Sequence, residues 1–120
     1  MSVVIFYEKP GCVNNSRQKK LLTAAGHFVI ARNLLTEAWQ ADRLRAFFGD
    51  LPVRSWFNYS APAIKFGEIE PGRFTAEKAI NVLIEEPILI RRPLIQIGEH
   101  LMVGFDPQTL DELIGLTELS

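Results

Sequence analysis

A lone cysteine set between a strand-forming run and a helix-forming run constrains this chain more than any other feature. Residues 3–7 (Val3, Val4, Ile5, Phe6, Tyr7) are β-branched or aromatic, and Lys9-Pro10-Gly11 follows as turn punctuation. From Cys12 to Ala25 the pattern is helical, with Leu21, Leu22 and Ala25 apolar behind a polar first turn, and Gly26 stops it. Residues 28–34 suit a second strand. Strand, helix and strand in this order make a right-handed crossover with the two strands parallel. The chain is 120 residues long. That is enough to bury one core without disulfides, and residues 1–120 are read as one domain.

The rest of the chain completes an α/β pattern. Thr36 is the expected cap of a helix through Ala38, Trp39, Leu44, Phe47 and Phe48, ended by Gly49. Residues 52–59 read as a short second helix, and residues 60–74, with two prolines and two glycines, as loop. Thr75 caps a helix through Ala79, Ile80, Leu83 and Ile84, which Pro87 terminates. Leu94-Ile95-Gln96-Ile97 and Leu101-Met102-Val103 flank a turn and form a hairpin. Pro107 opens a last helix through Leu110, Leu113 and Ile114, closed by Gly115. The order is βαβ, a helical insertion over residues 36–86 packing as a lobe, then ββα.

Composition removes several classes of function. A formal net charge of −1 without a basic stripe gives no electrostatic support for direct nucleic-acid binding. No apolar run is long enough to cross a bilayer, so no membrane association is expected. The N-terminus has neither a basic region nor a long apolar core, so no signal peptide is expected and the compartment is read as cytoplasmic. His27 and His100 have no cysteine or carboxylate at ligand spacing and read as surface histidines, with no metal site. Trp39 and Trp56 read as packing residues.

One cysteine cannot form an internal disulfide, so Cys12 is either an inert core plug or a reactive thiol. Its setting favours the second. Cys12 lies among polar residues at the start of a helix, where unpaired N–H groups and the helix dipole favour a thiolate. Lys9 and Arg17 add positive charge nearby in the sequence.

Two stretches together resemble a known family. The run Tyr7-Glu8-Lys9-Pro10-Gly11-Cys12, and Pro87-Ile88-Leu89-Ile90-Arg91-Arg92-Pro93-Leu94 far downstream, are similar to the glutaredoxin-linked arsenate reductases and their Spx-like relatives. Met102-Val103-Gly104-Phe105 resembles the Spx-like branch. Within the family, the run Phe6 to Cys12 and the segment Trp56-Phe57-Asn58 resemble the nitrogenase-associated proteins. The resemblance implies a thioredoxin-like fold with a mixed four-stranded sheet. It implies Cys12 as the catalytic thiol, Pro93 as a cis-proline beside it, and Arg92, Asn15, Ser16 and Asn58 as substrate-binding positions. Arg91 reads as an exposed salt-bridge partner.

The departures are as informative. The family's arsenate reductases hold their oxyanion with three arginines, of which only Arg92 has a match. The second position is Asn58 and the third falls near Gly104. Asn15 replaces the loop serine, with Ser16 following, and also stands where a C-x-x-C switch would carry its second cysteine. Each missing charge-assisted hydrogen bond costs roughly 1.5–3 kcal/mol, so arsenate reduction is not expected. Two function classes remain open. One is a thiol-dependent oxidoreductase with no bound cofactor, which needs glutathione or glutaredoxin as its external thiol partner. The other is a non-catalytic, Spx-like protein-binding module. The nitrogenase-associated likeness suggests an accessory role with a nitrogenase-related partner under either reading.

Overall fold

Alternation along the inner strands decides how the sheet is covered. In the computed structural model, which describes residues 1–116, strand β1 (Val3–Glu8) turns Val4 and Phe6 to one face and Tyr7 to the other. Strand β3 (Leu94–Ile97) does the same with Ile95 and Ile97 against Leu94. Strands β2 (Phe28–Asn33) and β4 (His100–Val103) complete a sheet of order β2-β1-β3-β4. Its β1/β2 pair is parallel, and the β1/β3 and β3/β4 pairs are antiparallel. This is the mixed four-stranded α/β sheet of the thioredoxin-like class.

Helices α1 (Val13–Ala24) and α5 (Pro107–Ile114) contribute to the smaller core, where Leu22 and Leu110 meet Val4, Phe6 and Ile95. The other face carries the insertion. Helices α2 (Ala41–Phe48) and α4 (Ala76–Glu85) bring Leu44, Phe47, Phe48, Ile80 and Leu83 against Tyr7 and Leu94. The short helix α3 (Pro62–Lys65) lies between α2 and α4 in the chain. Thr75 caps α4 by accepting from the Lys78 N–H, as its position suggested.

Three local expectations differ from the structure. Helix α2 begins at Ala41, capped by Gln40 rather than Thr36. Trp39 therefore precedes the helix and donates its indole N–H to the Leu34 carbonyl, with Tyr7 and Phe47 against its ring. A buried aromatic with a satisfied N–H outweighed the cap signal. Residues 52–59 hold only a 3₁₀ turn, Val53–Trp56, whereas the segment expected to be loop contains α3. His27 is buried, not superficial. Its Nδ1 accepts from the Ser2 N–H, and Nε2 lies 2.6 Å from the Gly115 carbonyl. It ties the N-terminus to the end of α5, so the imidazole acts as a strut. Residues 117–120 of the expected domain lie outside the described residues.

Candidate active site

The turn before α1 sets the cysteine. Gly11 has φ +81°, and the Cys12 N–H donates to the Lys9 carbonyl at 3.1 Å, which makes Lys9-Pro10-Gly11-Cys12 a tight turn needing glycine at its third place. Asn15 braces this turn from beneath. Its side chain is buried, accepting from the Lys9 N–H at 3.2 Å and donating to Gln18 at 3.1 Å. The Asn15 side chain is thus a strut, and what it offers the site is its backbone N–H. Cys12 itself is the N-cap of α1 and is partly exposed.

Three groups act on the thiol. Partial burial pushes its pKa up, but this is outweighed by the Asn15 N–H, by the Arg92 guanidinium as hydrogen-bond donor and as charge, and by the Asn14 N–H. The net result is a pKa below the ordinary cysteine value. No side-chain cap bond closes the helix at Cys12. The cation that lowers the thiol pKa is Arg92, which comes from far along the chain rather than from beside Cys12 in sequence.

Arg92 comes from the segment that leads into β3. The Arg92–Pro93 peptide bond is cis, and the Pro93 carbonyl accepts from the Gly104 N–H at 2.8 Å. The preceding segment is clamped to the insertion by the Asn58 N–H on the Leu89 carbonyl and the Arg91 N–H on the Trp56 carbonyl. A bridge between Phe57 and Ile90 lies between these bonds. The buried Trp56 and Phe57 anchor this clamp in the larger core.

Beside Arg92 lies a cavity of about 460 Å³, lined by Arg54, Ser55, Phe57, Asn58, Tyr59, Arg91 and Arg92. Cys12 is not in its lining; Arg92 is the link between the thiol and the cavity. Asn58 lines it, although its Oδ1 accepts from the Ser60 N–H and its Nδ2 donates weakly to the Ile88 carbonyl. Ser16 is not brought to this place. It is exposed on α1 in a separate depression with Lys19, Thr23 and Val29, one helical turn past Cys12. The i, i+4 rule that would bring Ser16 under Cys12 does not apply here, because Cys12 is the N-cap with extended backbone and lies outside the helix proper.

Sequence reasoning missed Arg54 and misread Arg91. Among the described residues, Arg91 forms no salt bridge. Its guanidinium donates to the Ser55 carbonyl at 3.3 Å and lies over Gly104, where an added Cβ would meet Nη2 at 3.0 Å. The absence of a side chain at Gly104 lets Arg91 lie this close; a Cβ there would push the guanidinium back by a few tenths of an ångström. Only the pairing of glycine at one position with a second arginine beside Arg92 could have signalled this.

Known proteins share this fold. The ArsC family profile matches residues 10–113. An uncharacterized 15.7 kDa protein in the draG 3′ region of Rhodospirillum rubrum is 44% identical over 116 residues, covering 97% of this chain and 81% of that protein. A Bacteroides fragilis protein described as ArsC family related superposes with a TM-score of 0.80 at 26% identity, covering 94% of this chain and 99% of that one. An arsenate reductase from Vibrio cholerae gives 0.77 at 19% identity, covering 94% and 98%. With the family profile matching residues 10–113 and a relative 44% identical over nearly the whole chain, this chain belongs to the ArsC family.

Proposed function

We propose that the chain is a single-thiol redox protein of the ArsC family in which Cys12 is the nucleophile and arsenate is not the substrate. The observation that carries this reading is the place of Cys12, partly exposed at the N-cap of α1 after the Gly11 turn, where the Asn14 and Asn15 N–H groups and the Arg92 guanidinium lower its pKa. Such a site stabilises a thiolate, and a thiolate attacks disulfides. In the reaction, the Cys12 thiolate attacks a disulfide, its S–S bond breaks, and one partner sulfur leaves as thiolate. Cys12 is left in a mixed disulfide. Cys12 being the chain's one cysteine, resolution falls to external thiols. The first displaces the bound partner sulfur, and the second frees Cys12, so two external thiols are oxidised for each disulfide reduced. Glutathione, alone or through glutaredoxin, is the external thiol of this reading. Such chemistry belongs in a reducing, cytoplasmic compartment.

The test is the rate of Cys12 alkylation by iodoacetamide against pH. A midpoint below that of a free cysteine peptide is expected, and an ordinary or raised midpoint overturns the reading in favour of a non-catalytic binding module. Glutaredoxin-linked arsenate reduction is expected to be near background, because Asn58 and Gly104 carry no charge and, of the three arginines in the cavity, only Arg92 acts on the thiol. Turnover comparable to a true arsenate reductase, and lost in Cys12→Ser, would contradict that. An accessory role near nitrogenase rests on the likeness of the Phe6 to Cys12 and Trp56 to Asn58 segments to nitrogenase-associated proteins. Co-purification with nitrogenase components from cells expressing both is its test.

A further inference from the structure

Through Arg92, the Cys12 turn is linked to a cavity that carries two more arginines, Arg54 and Arg91. Arg54, Arg91 and Arg92 line one cavity, and among the described residues no carboxylate pairs with any of them. In a chain of net charge −1, three unneutralised guanidinium groups in one concavity are a local reversal of sign. The volume, about 460 Å³, is far more than one tetrahedral oxyanion fills, given that a water molecule occupies about 30 Å³ in the liquid. Arg91 is also held against the wall by Gly104 and the Ser55 carbonyl, which suits a larger ligand lying along that wall.

The cavity also continues. Arg54 and Tyr59 are shared with a second depression of about 390 Å³, lined further by Ile64, Ile69, Pro71 and Gly67. There the one cation besides Arg54 is Arg73, and Glu70 neutralises it. The groove therefore runs from Arg92, the residue that acts on the thiol, past a cationic stretch, to a neutral and largely apolar shelf built by the insertion. A small anionic thiol would fill only its first part.

We propose that this groove docks an extended peptide of a partner protein, with an acidic side chain beside the cysteine presented to Cys12 and an apolar residue further along. The proposal rests on the thiol reading above and adds to it the partner class. Guanidinium groups pair with a carboxylate in bidentate fashion, and charge complementarity acts on encounter rate and on the choice of partner. Arg92 keeps its contact with the thiol, while Arg54 and Arg91 receive the acidic side chain. The shelf around Ile64 and Ile69 supplies the apolar contact that separates a peptide from a free anion.

The test uses synthetic peptides holding one cysteine as an activated aryl disulfide, identical except for Asp, Asn or Lys beside it. Each is made with and without an isoleucine-containing extension. Reaction with the full chain is followed by release of the aryl thiol. At low ionic strength the Asp peptide should react roughly tenfold faster than the Lys peptide, with the ratio collapsing in high salt. The extension should raise the rate further. Arg54→Gln and Arg91→Gln should each cut the Asp/Lys ratio about threefold, whereas Arg32→Gln, an equal charge loss on exposed strand β2, should not. Equal rates for the Asp and Lys peptides, or a ratio that falls equally in Arg32→Gln, overturn the proposal. So does suppression by inorganic sulfate at the concentration of the Asp peptide, which would assign the cavity to a free oxyanion. If Cys12 is unreactive even towards iodoacetamide, the thiol reading fails by itself. Docking is then decided by fluorescence anisotropy of a labelled Asp peptide with serine in place of cysteine, which binds only if the groove acts as proposed.

Discussion

The thiol turn and the cationic cavity are adjacent, yet they are built in opposite ways. The turn is local. Residues 9–15 supply the glycine bend, the cap, the N–H groups and the Asn15 strut, and each partner lies within six residues of the other. The cavity is assembled across the chain, with Arg91 reaching Ser55 over a separation of 36 residues. Arg92 joins the two, lining the cavity while acting on the sulfur. A site divided in this way separates two properties. Reactivity belongs to the turn, and choice of partner belongs to the cavity.

Variants that break one half and spare the other sharpen this division. The largest effect is expected for Cys12→Ser, which should abolish mixed-disulfide formation, read by mass spectrometry after exposure to a small disulfide. Its stability should barely change, because serine is a good N-cap. Asn15→Ala removes the acceptor of the Lys9 N–H and should cost about 1–3 kcal/mol in urea unfolding. The thiol should then lose its ordered N–H partners as well, so the damage is confined to the turn. Arg92→Gln strikes the joint. It should move the alkylation profile towards higher pH and slow reaction at neutral pH several-fold, because a cation that favours the thiolate is gone.

Gly104→Ala probes the cavity alone. Its φ of +80° and the 3.0 Å approach to Arg91 Nη2 should cost about 1 kcal/mol and displace the guanidinium. Alkylation of Cys12 by a neutral reagent should be untouched, while the charge preference among peptides weakens. The smallest effect is the pH dependence of stability. The folded thiol has a lowered pKa, so its contribution is fully present above the unfolded pKa and fades as pH falls through the folded one. The stability difference between the wild type and Cys12→Ser should therefore grow with rising pH across that window, as followed by urea unfolding.

The Cys12 half was readable because its determinants are contiguous. A strand run, Pro-Gly and a polar first helical turn imply their geometry from neighbours alone. The helix starting at Ala41 shows where this fails. Thr36 is a sound local cap, but Trp39 gained more by burying its ring against Tyr7 and Phe47, and the start moved on. His27 shows the same in reverse, since nothing near it in sequence announces Ser2 and Gly115 as its partners.

By itself, the sequence determined the strand and helix order, the capped cysteine turn and the identity of Arg92 and Pro93 as its distant counterpart. These follow from periodicity, turn chemistry and a pair of motifs. Only the tertiary structure decided what surrounds them: that Asn15 is buried, that Ser16 faces elsewhere, and that Arg54 and Arg91 share one cavity with Arg92. The reason is physical. A side chain's direction on a helix or strand is set by local backbone, but its company is set by packing between segments far apart in the chain. At Gly104 that company depends on an atom being absent. The missing Cβ leaves room for Arg91, a contact between residues whose proximity exists only in the folded chain.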